Sequence, residues 1–157
     1  MVVEKGFGPR QLVFIGTEYK TLDSKGRLVI PSKFRKATGI EEGEGFIVVS
    51  GPNPYILLFT KQDWERVYEK VSRSSAQEGD VFDIRRTFFP SAEFLLLDKQ
   101  GRLVLPPIMV AEAGLRQEIA VLGAGDHIEI WDRERWETYR KEKLKSQDQA
   151  AWRAYFG

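Results

Sequence analysis

Apolar and polar positions alternate along this chain in short blocks rather than long stripes, and the blocks predict brief strands punctuated by brief helices. Thr17–Leu22, with Tyr19 and Thr21 among residues of high β propensity, predicts a strand. Asp23-Ser24-Lys25-Gly26 is a turn signal, and Leu28-Val29-Ile30 a short buried strand. Pro31 opens a short helix, Ser32 to about Thr38, which Gly39 ends. Phe46–Ser50 and Tyr55–Thr60 predict two strands around Gly51-Pro52-Asn53-Pro54. Thr60 followed by Asp63 suits an N-cap, and Gln62–Arg73 then carries Trp64, Val67 and Val71 on one helical face. Ser72–Gly79 reads as a loop; Val81, Phe82, Ile84, Phe88 and Phe89 resemble a short helix with an aromatic face. The same order then returns: a strand over 92–97, a turn over 98–101, a strand over 102–105, a helix over about 107–113, strands near 118–122 and 127–131, and a helix from Arg133 capped by Asp132. Lys141–Gly157 is polar apart from Trp152, Tyr155 and Phe156; the pattern leaves open whether it extends the last helix or docks separately.

The elements recur because the sequence recurs. Residues 23–31 read DSKGRLVIP and residues 98–106 read DKQGRLVLP, an offset of 75. At that offset Glu18 matches Glu93, Leu22 matches Leu97 and Gly39 matches Gly114. Further on the offset falls to 72, where Phe59 matches Trp131 and Trp64 matches Trp136. A unit of roughly 55 residues with strands this short has little core of its own. The two are expected to interlock into one α+β body: a flexible tail over 1–11, a first half over 12–73, a connection over 74–91, a second half over 92–143 and a tail over 144–157. The aromatic side chains Trp64, Phe82, Phe88, Phe89 and Trp136 exceed what two small halves need, so some are expected to line contacts between subunits.

Composition narrows the chemistry. The chain has 157 residues, no cysteine and one histidine, His127. That removes disulfide frameworks, thiolate metal sites and thiol catalysis, and makes His-based metal or triad chemistry an unpromising reading. No apolar run reaches the ~20 residues a membrane helix needs, and no charged-then-apolar opening marks a secretory signal. The expected location is therefore cytoplasmic. Gly123-Ala124-Gly125 resembles half of a phosphate loop but joins two strands, with no helix N-terminus behind it. The acidic pairs Asp23/Asp98 and Glu18/Glu93 recur by repeat symmetry and suit turns better than acid–base catalysis. No enzyme, cofactor, metal or small-molecule substrate is implied.

The net charge of +1 hides a local excess. Residues 17–39 hold six bases against two acids, while 92–114 hold two against three. In each Asp-x-x-Gly-Arg turn, Asp23 or Asp98 accepts backbone N–H bonds and Gly26 or Gly101 takes a positive φ. The arginines that follow, Arg27 and Arg102, are not explained by the turn. Each could pair with a carboxylate, or reach a phosphate or a guanine edge. Candidate nucleic-acid contacts are Lys20, Lys25, Arg27, Lys33, Arg35 and Lys36 in the first unit, with Lys99 and Arg102 in the second. The charge windows predict that Arg27 contributes more than Arg102, which has Glu93 or Glu112 as a possible carboxylate partner.

The order strand, D-x-x-G-R, short strand, Pro, short helix, Gly, two strands resembles the AbrB-type swapped-hairpin DNA-binding module. Two tandem copies, with P-S-K-F-R, a tryptophan-bearing helix after each copy and V-L-G-A-G-D-H-I-E-I-W in the second, look like the MraZ family over roughly residues 13–140. The resemblance implies a double swapped-hairpin β-barrel with flanking helices. It also implies a DNA-binding transcriptional regulator, acting as a repressor, of a bacterial division and cell-wall gene cluster. The implied partners are double-stranded promoter DNA, bound at direct repeats, and further copies of the chain in a ring. It is expected to be cytoplasmic and nucleoid-associated. Transferred by motif, Asp23, Arg27, Asp98 and Arg102 are the family positions, and Lys20, Arg27, Arg35 and Lys36 fall where AbrB-type proteins carry DNA-contacting bases. The chain departs from the family pattern at Ile15 and Val110, where arginine is common, and its residues after about Lys143 match no family feature. The alternative reading is an antitoxin-like interaction module on the same fold.

Overall fold

The computed structural model describes residues 14–38, 44–52, 54–73 and 78–157. The expected tail over 1–11 and the helix stop at Gly39 lie outside them. The first half runs β1 (Phe14–Thr21), β2 (Arg27–Val29), α1 (Ser32–Thr38), β3 (Gly45–Ser50), β4 (Tyr55–Phe59) and α2 (Lys61–Ser72). A connecting helix α3 (Glu78–Thr87) and a 3-10 turn at Phe89–Ser91 follow. The second half repeats the order as β5 (Glu93–Leu96), β6 (Arg102–Val104), α4 (Pro107–Glu112), β7 (Glu118–Gly125), β8 (Ile128–Asp132) and α5 (Arg133–Ser146). A separate helix α6 (Gln149–Phe156) ends the chain, set off from α5 by extended backbone at Gln147 and Asp148.

The halves interlock through their strands. A six-stranded antiparallel sheet has the order β1-β7-β8-β4-β3-β5, and β2 pairs with β6 in a separate two-stranded ribbon. The first strand of each half therefore lies against the third strand of the other: Thr17 opposite Leu122, and Ile47 opposite Phe94. The central pair β4–β8 and the ribbon β2–β6 each join one half to the other. Only the hairpins β3–β4 and β7–β8 pair within a half; β1, β2, β5 and β6 find their partners in the other half alone. The expected closed barrel does not form, because the large sheet ends at two open edges, β1 and β5, and the ribbon stands apart from it.

Burial on both faces explains why the four inner strands β7, β8, β4 and β3 read as nearly unbroken apolar runs, whereas the edge strands β1 and β5 are largely exposed. On one face Phe46, Val48, Ile56, Leu58, Ile119, Val121, Ile128 and Ile130 meet Leu28, Ile30, Leu103 and Leu105 from the ribbon segments, with Phe34 of α1 and Met109 of α4 closing the layer. On the other face Val49, Leu57 and Phe59 are covered by Trp64, Val67 and Phe88, while Ala120, Leu122 and Trp131 lie under Trp136. This disposes of much of the aromatic surplus. Trp64 packs on Phe59, Phe88 and Phe89, and Trp136 on Trp131 and Tyr139, so these side chains build the chain's own outer layer while staying partly exposed.

Two caps differ in how they are made. Thr60 caps α2 as its spacing predicts: its hydroxyl accepts from the Asp63 N–H at 3.1 Å and donates to the Asp63 carboxylate at 2.9 Å. Asp132 occupies the corresponding place before α5 but makes no side-chain cap bond. Its carboxylate is taken by Arg116, which donates through its backbone N–H at 3.2 Å, Nε at 3.1 Å and Nη2 at 2.7 Å. These bonds, the side-chain ones foremost, hold the Asp132 carboxyl below the usual range. Among the described residues no helix is long and apolar enough to cross a membrane.

Candidate nucleic-acid interface

Each Asp-x-x-Gly-Arg segment folds into the same closed turn. Asp23 Oδ1 accepts from the backbone N–H of Lys25 at 2.9 Å and of Arg27 at 2.8 Å, and its Oδ2 accepts from Arg27 Nε at 2.5 Å. Asp98 does the same with Gln100 at 2.9 Å, Arg102 N–H at 2.9 Å and Arg102 Nε at 2.7 Å. Gly26 and Gly101 sit at φ of 77° and 73°, the left-handed region that a side chain would oppose. The backbone N–H of the arginine, more than its guanidinium, holds each aspartate below the ordinary carboxylate range. Sequence chemistry left the arginines a choice between a carboxylate and a phosphate or base. The geometry permits both: Nε goes to the aspartate of its own turn, and the terminal amino groups make no other hydrogen bond among the described residues. The suggested partners Glu93 and Glu112 are not the ones Arg102 uses; Glu112 instead accepts from Ser50.

The ribbon then places the two arginines side by side. Its register sets Arg27 opposite Val104, Leu28 opposite Leu103 and Val29 opposite Arg102. Side chains alternate along a strand, so Leu28 and Leu103 both turn into the core, at 0% exposure. The other face carries Arg27, Val29, Arg102 and Val104 outward together. Arg27 and Arg102 are diagonal neighbours across the two strands, their backbones about 7–8 Å apart. That is close to two base steps at ~3.4 Å each. A two-stranded ribbon is one of the two shapes a major groove admits. Val104, 55% exposed, adds an apolar contact of the kind that suits a thymine methyl.

The remaining candidate bases separate into groups. Lys25 and Lys99 lie exposed in the two turns, and Lys36 is exposed on α1. Lys20 and Lys33 converge on one carboxylate, Glu18, at 3.7 and 3.5 Å. Arg35 does not stand beside the first turn, where its place in the sequence suggests it belongs. Its Nε donates to Ile30 O at 3.0 Å, and its guanidinium lies so close to Gly101 that an added Cβ there would come within 2.6 Å of Cζ. The charge windows 17–39 and 92–114 are thus not spatial groups, because a base counted in the first is delivered to the turn of the second.

Sequence reasoning overlooked Val29 and Val104, although the alternation within G-R-L-V contains them once both copies are laid on one ribbon. It also missed the ties around His127, which is half-buried between Asp126 and Glu129 at 2.8 Å each. Burial works to lower that imidazole's pKa, but the hydrogen bonds and charges of Glu129 and Asp126 outweigh it and hold the ring above its usual value. An open groove of about 940 Å³ beneath α5, lined in part by Tyr55, Trp131, Tyr139 and Arg135, shares no residue with the two turns.

The family model described as "MraZ protein, putative antitoxin-like" matches the chain twice, over residues 13–86 and 88–155. The second match runs past Lys143 to residue 155, so all but the last two residues of the tail expected to match no family feature lie within it. Curated proteins named transcriptional regulator MraZ are similar over most of their length. One from Paenarthrobacter aurescens is 37% identical over 83% of this chain and 89% of its own. One from Arthrobacter sp. is 37% identical over 85% and 92%, and one from Dictyoglomus thermophilum 34% over 83% and 87%. The solution structure of PHS018 from Pyrococcus horikoshii overlaps 74% of this chain and 87% of its own at 18% identity, but a TM-score of 0.35 is too low to bear on the fold.

Proposed function

We propose, on the premise that this chain belongs to the MraZ family, that it is a DNA-binding transcriptional regulator whose β2–β6 ribbon reads the major groove. The observation that carries the reading is the shared outward face of Arg27 and Arg102, one from each half, on a ribbon of groove-fitting width. Each guanidinium is anchored through Nε by its own aspartate, which fixes its direction while leaving the terminal amino groups for a guanine edge or a phosphate. Lys25, Lys99 and Lys36 flank this face as phosphate contacts, and Lys20 and Lys33 reinforce it from around Glu18. The pairing of each half's first strand with the other half's third supports reading the halves, over 12–73 and 92–143, as swapped-hairpin modules.

The finer proposals follow from the same footprint. A three-residue ribbon touches few base pairs, so one subunit binds weakly. Several subunits in a ring, each presenting its ribbon to successive direct repeats, gain affinity through linkage. Exposed apolar side chains on α6 support such assembly: Trp152, Tyr155 and Phe156 are 46%, 83% and 75% exposed. The proposed target is the promoter of a division and cell-wall gene cluster, with repression as the outcome and the nucleoid as the place of action. The family description gives the antitoxin-like module as a second reading, for which the same α6 face would be the partner-binding tail.

Promoter binding measured on a full repeat array and on one isolated repeat, across a salt series, tests this. Log affinity should fall with log salt by about 0.9 per phosphate contacted. The array should bind more tightly than the single repeat. Equal affinity for both removes the linkage, and salt-independent, sequence-blind binding removes the regulator reading.

A further inference from the structure

The two turns have the same internal hydrogen bonds but are braced differently from outside. In each, a residue of the opposite half donates its backbone N–H to the turn glycine's carbonyl: Ile30 to Gly101 at 2.9 Å, and Leu105 to Gly26 at 2.8 Å. At the second turn a side chain completes the contact. Arg35 Nε donates to the carbonyl of that same Ile30 at 3.0 Å, and its guanidinium covers the open Cα face of Gly101, where an added Cβ would meet Cζ, Nε and Nη1 at 2.6–2.8 Å. At the first turn the position matching Arg35 is Val110, which has no donor to offer Leu105 O. An added Cβ on Gly26 would there meet that carbonyl oxygen at 3.1 Å instead.

We propose that Arg35 is a positioning residue for Arg102: it braces the turn Asp98–Arg102 against the first half, so that the second motif is presented rigidly while the first adapts to the DNA. The inference rests on the DNA-binding reading above and reassigns Arg35 within it. A group whose Nε is committed to a backbone carbonyl and whose plane lies on a glycine acts through the turn it covers. The directional Nε–H bond and the flat contact are properties of a guanidinium, which a lysine of equal charge does not reproduce. Two otherwise equal turns thereby acquire unequal stiffness, and the stiffer one belongs to the half with fewer bases.

The test pairs a DNA-binding cycle with a measurement on the free protein. Arg35→Lys and Arg35→Ala should weaken promoter binding equally, by about tenfold, since a charge alone does not restore the brace. In an Arg102→Ala background Arg35→Ala should cost less than about twofold more, whereas in an Arg27→Ala background its effect should persist in full. Its salt slope should equal that of the unaltered chain. In the free protein, the Arg102 Nε–H resonance, held by Asp98, should shift and exchange faster in Arg35→Lys, while the Arg27 Nε–H resonance stays in place. Wild-type affinity of Arg35→Lys, or a salt slope lower by about 0.9, would make Arg35 a phosphate contact and overturn the proposal. An unmoved Arg102 resonance would overturn it without reference to DNA. Should Arg27→Ala and Arg102→Ala both bind normally, the DNA reading fails, and the resonance alone decides whether Arg35 braces the turn.

Discussion

Replacing Leu103 by alanine probes the joint between the two halves. Leu103 is at 0% exposure, and its cross-strand partner Leu28, from the other half, is equally buried. Losing a fully buried leucine side chain forfeits about 2 kcal/mol of transfer energy. The cavity left under a ribbon fixed at both turns adds to that, giving about 3 kcal/mol within the ~2–5 kcal/mol range for such sites. Against a total stability of about 5–15 kcal/mol this is a large fraction. At roughly 2–4 °C per kcal/mol for a chain of this size, the midpoint should fall by about 6–12 °C. Urea unfolding followed by tryptophan fluorescence and by far-ultraviolet circular dichroism should give one coincident transition, shifted as a whole with its slope unchanged. Leu28→Ala should do the same, and the double variant should depart from additivity by about 0.5 kcal/mol or more, because the two side chains touch. A cost below about 1 kcal/mol, or separate transitions for the two halves, would refute the interlocked core.

Other outcomes follow from the same contacts. Trp64→Ala, which uncovers Phe59, Phe88 and Phe89, should cost about 2–3 kcal/mol in denaturant unfolding, less than a fully buried tryptophan because Trp64 is only partly buried, whereas exposed Trp152 should tolerate alanine within about 0.5 kcal/mol in a monomeric state. His127 gains its raised pKa only in the folded chain, so its stabilising share is complete below about pH 6.5 and disappears as the pH climbs through the folded value. A pH series of unfolding midpoints should show that loss, and His127→Gln should abolish it. Asp23 and Asp98 are shifted the other way. Turn order, followed through the arginine Nε–H resonances, should hold above about pH 4 and vanish as the pH falls through their depressed values.

Much of this architecture is legible in local sequence. The turns announce themselves through Asp, Gly and Arg at fixed offsets, the cap of α2 through Thr60 and Asp63, and the two-unit plan through the repeat itself. Pairing across the halves is a long-range property: nothing in G-R-L-V says that its two copies will lie antiparallel on one ribbon, and that pairing is what unites Arg27 with Arg102. Asp132 shows a local rule yielding to a tertiary one: the Arg135 N–H of the first turn of α5 still helps lower its carboxyl, but Arg116 is the charged, bidentate partner that dominates. Arg35 shows how a charge count taken along the sequence misleads. The interlocked strands carry α1 of one half onto the turn of the other, so a base near Arg27 in number lies near Arg102 in space.

The central claim, that one ribbon presents an arginine from each half to DNA, is tested most directly by Arg27→Ala and Arg102→Ala at one salt concentration. Both variants are first matched to the unaltered chain in subunit assembly and unfolding midpoint. Promoter affinity per subunit should fall by about 1–3 kcal/mol for each, with relaxed preference at bases about two steps apart. Unchanged affinity and unchanged sequence preference in both variants would contradict it.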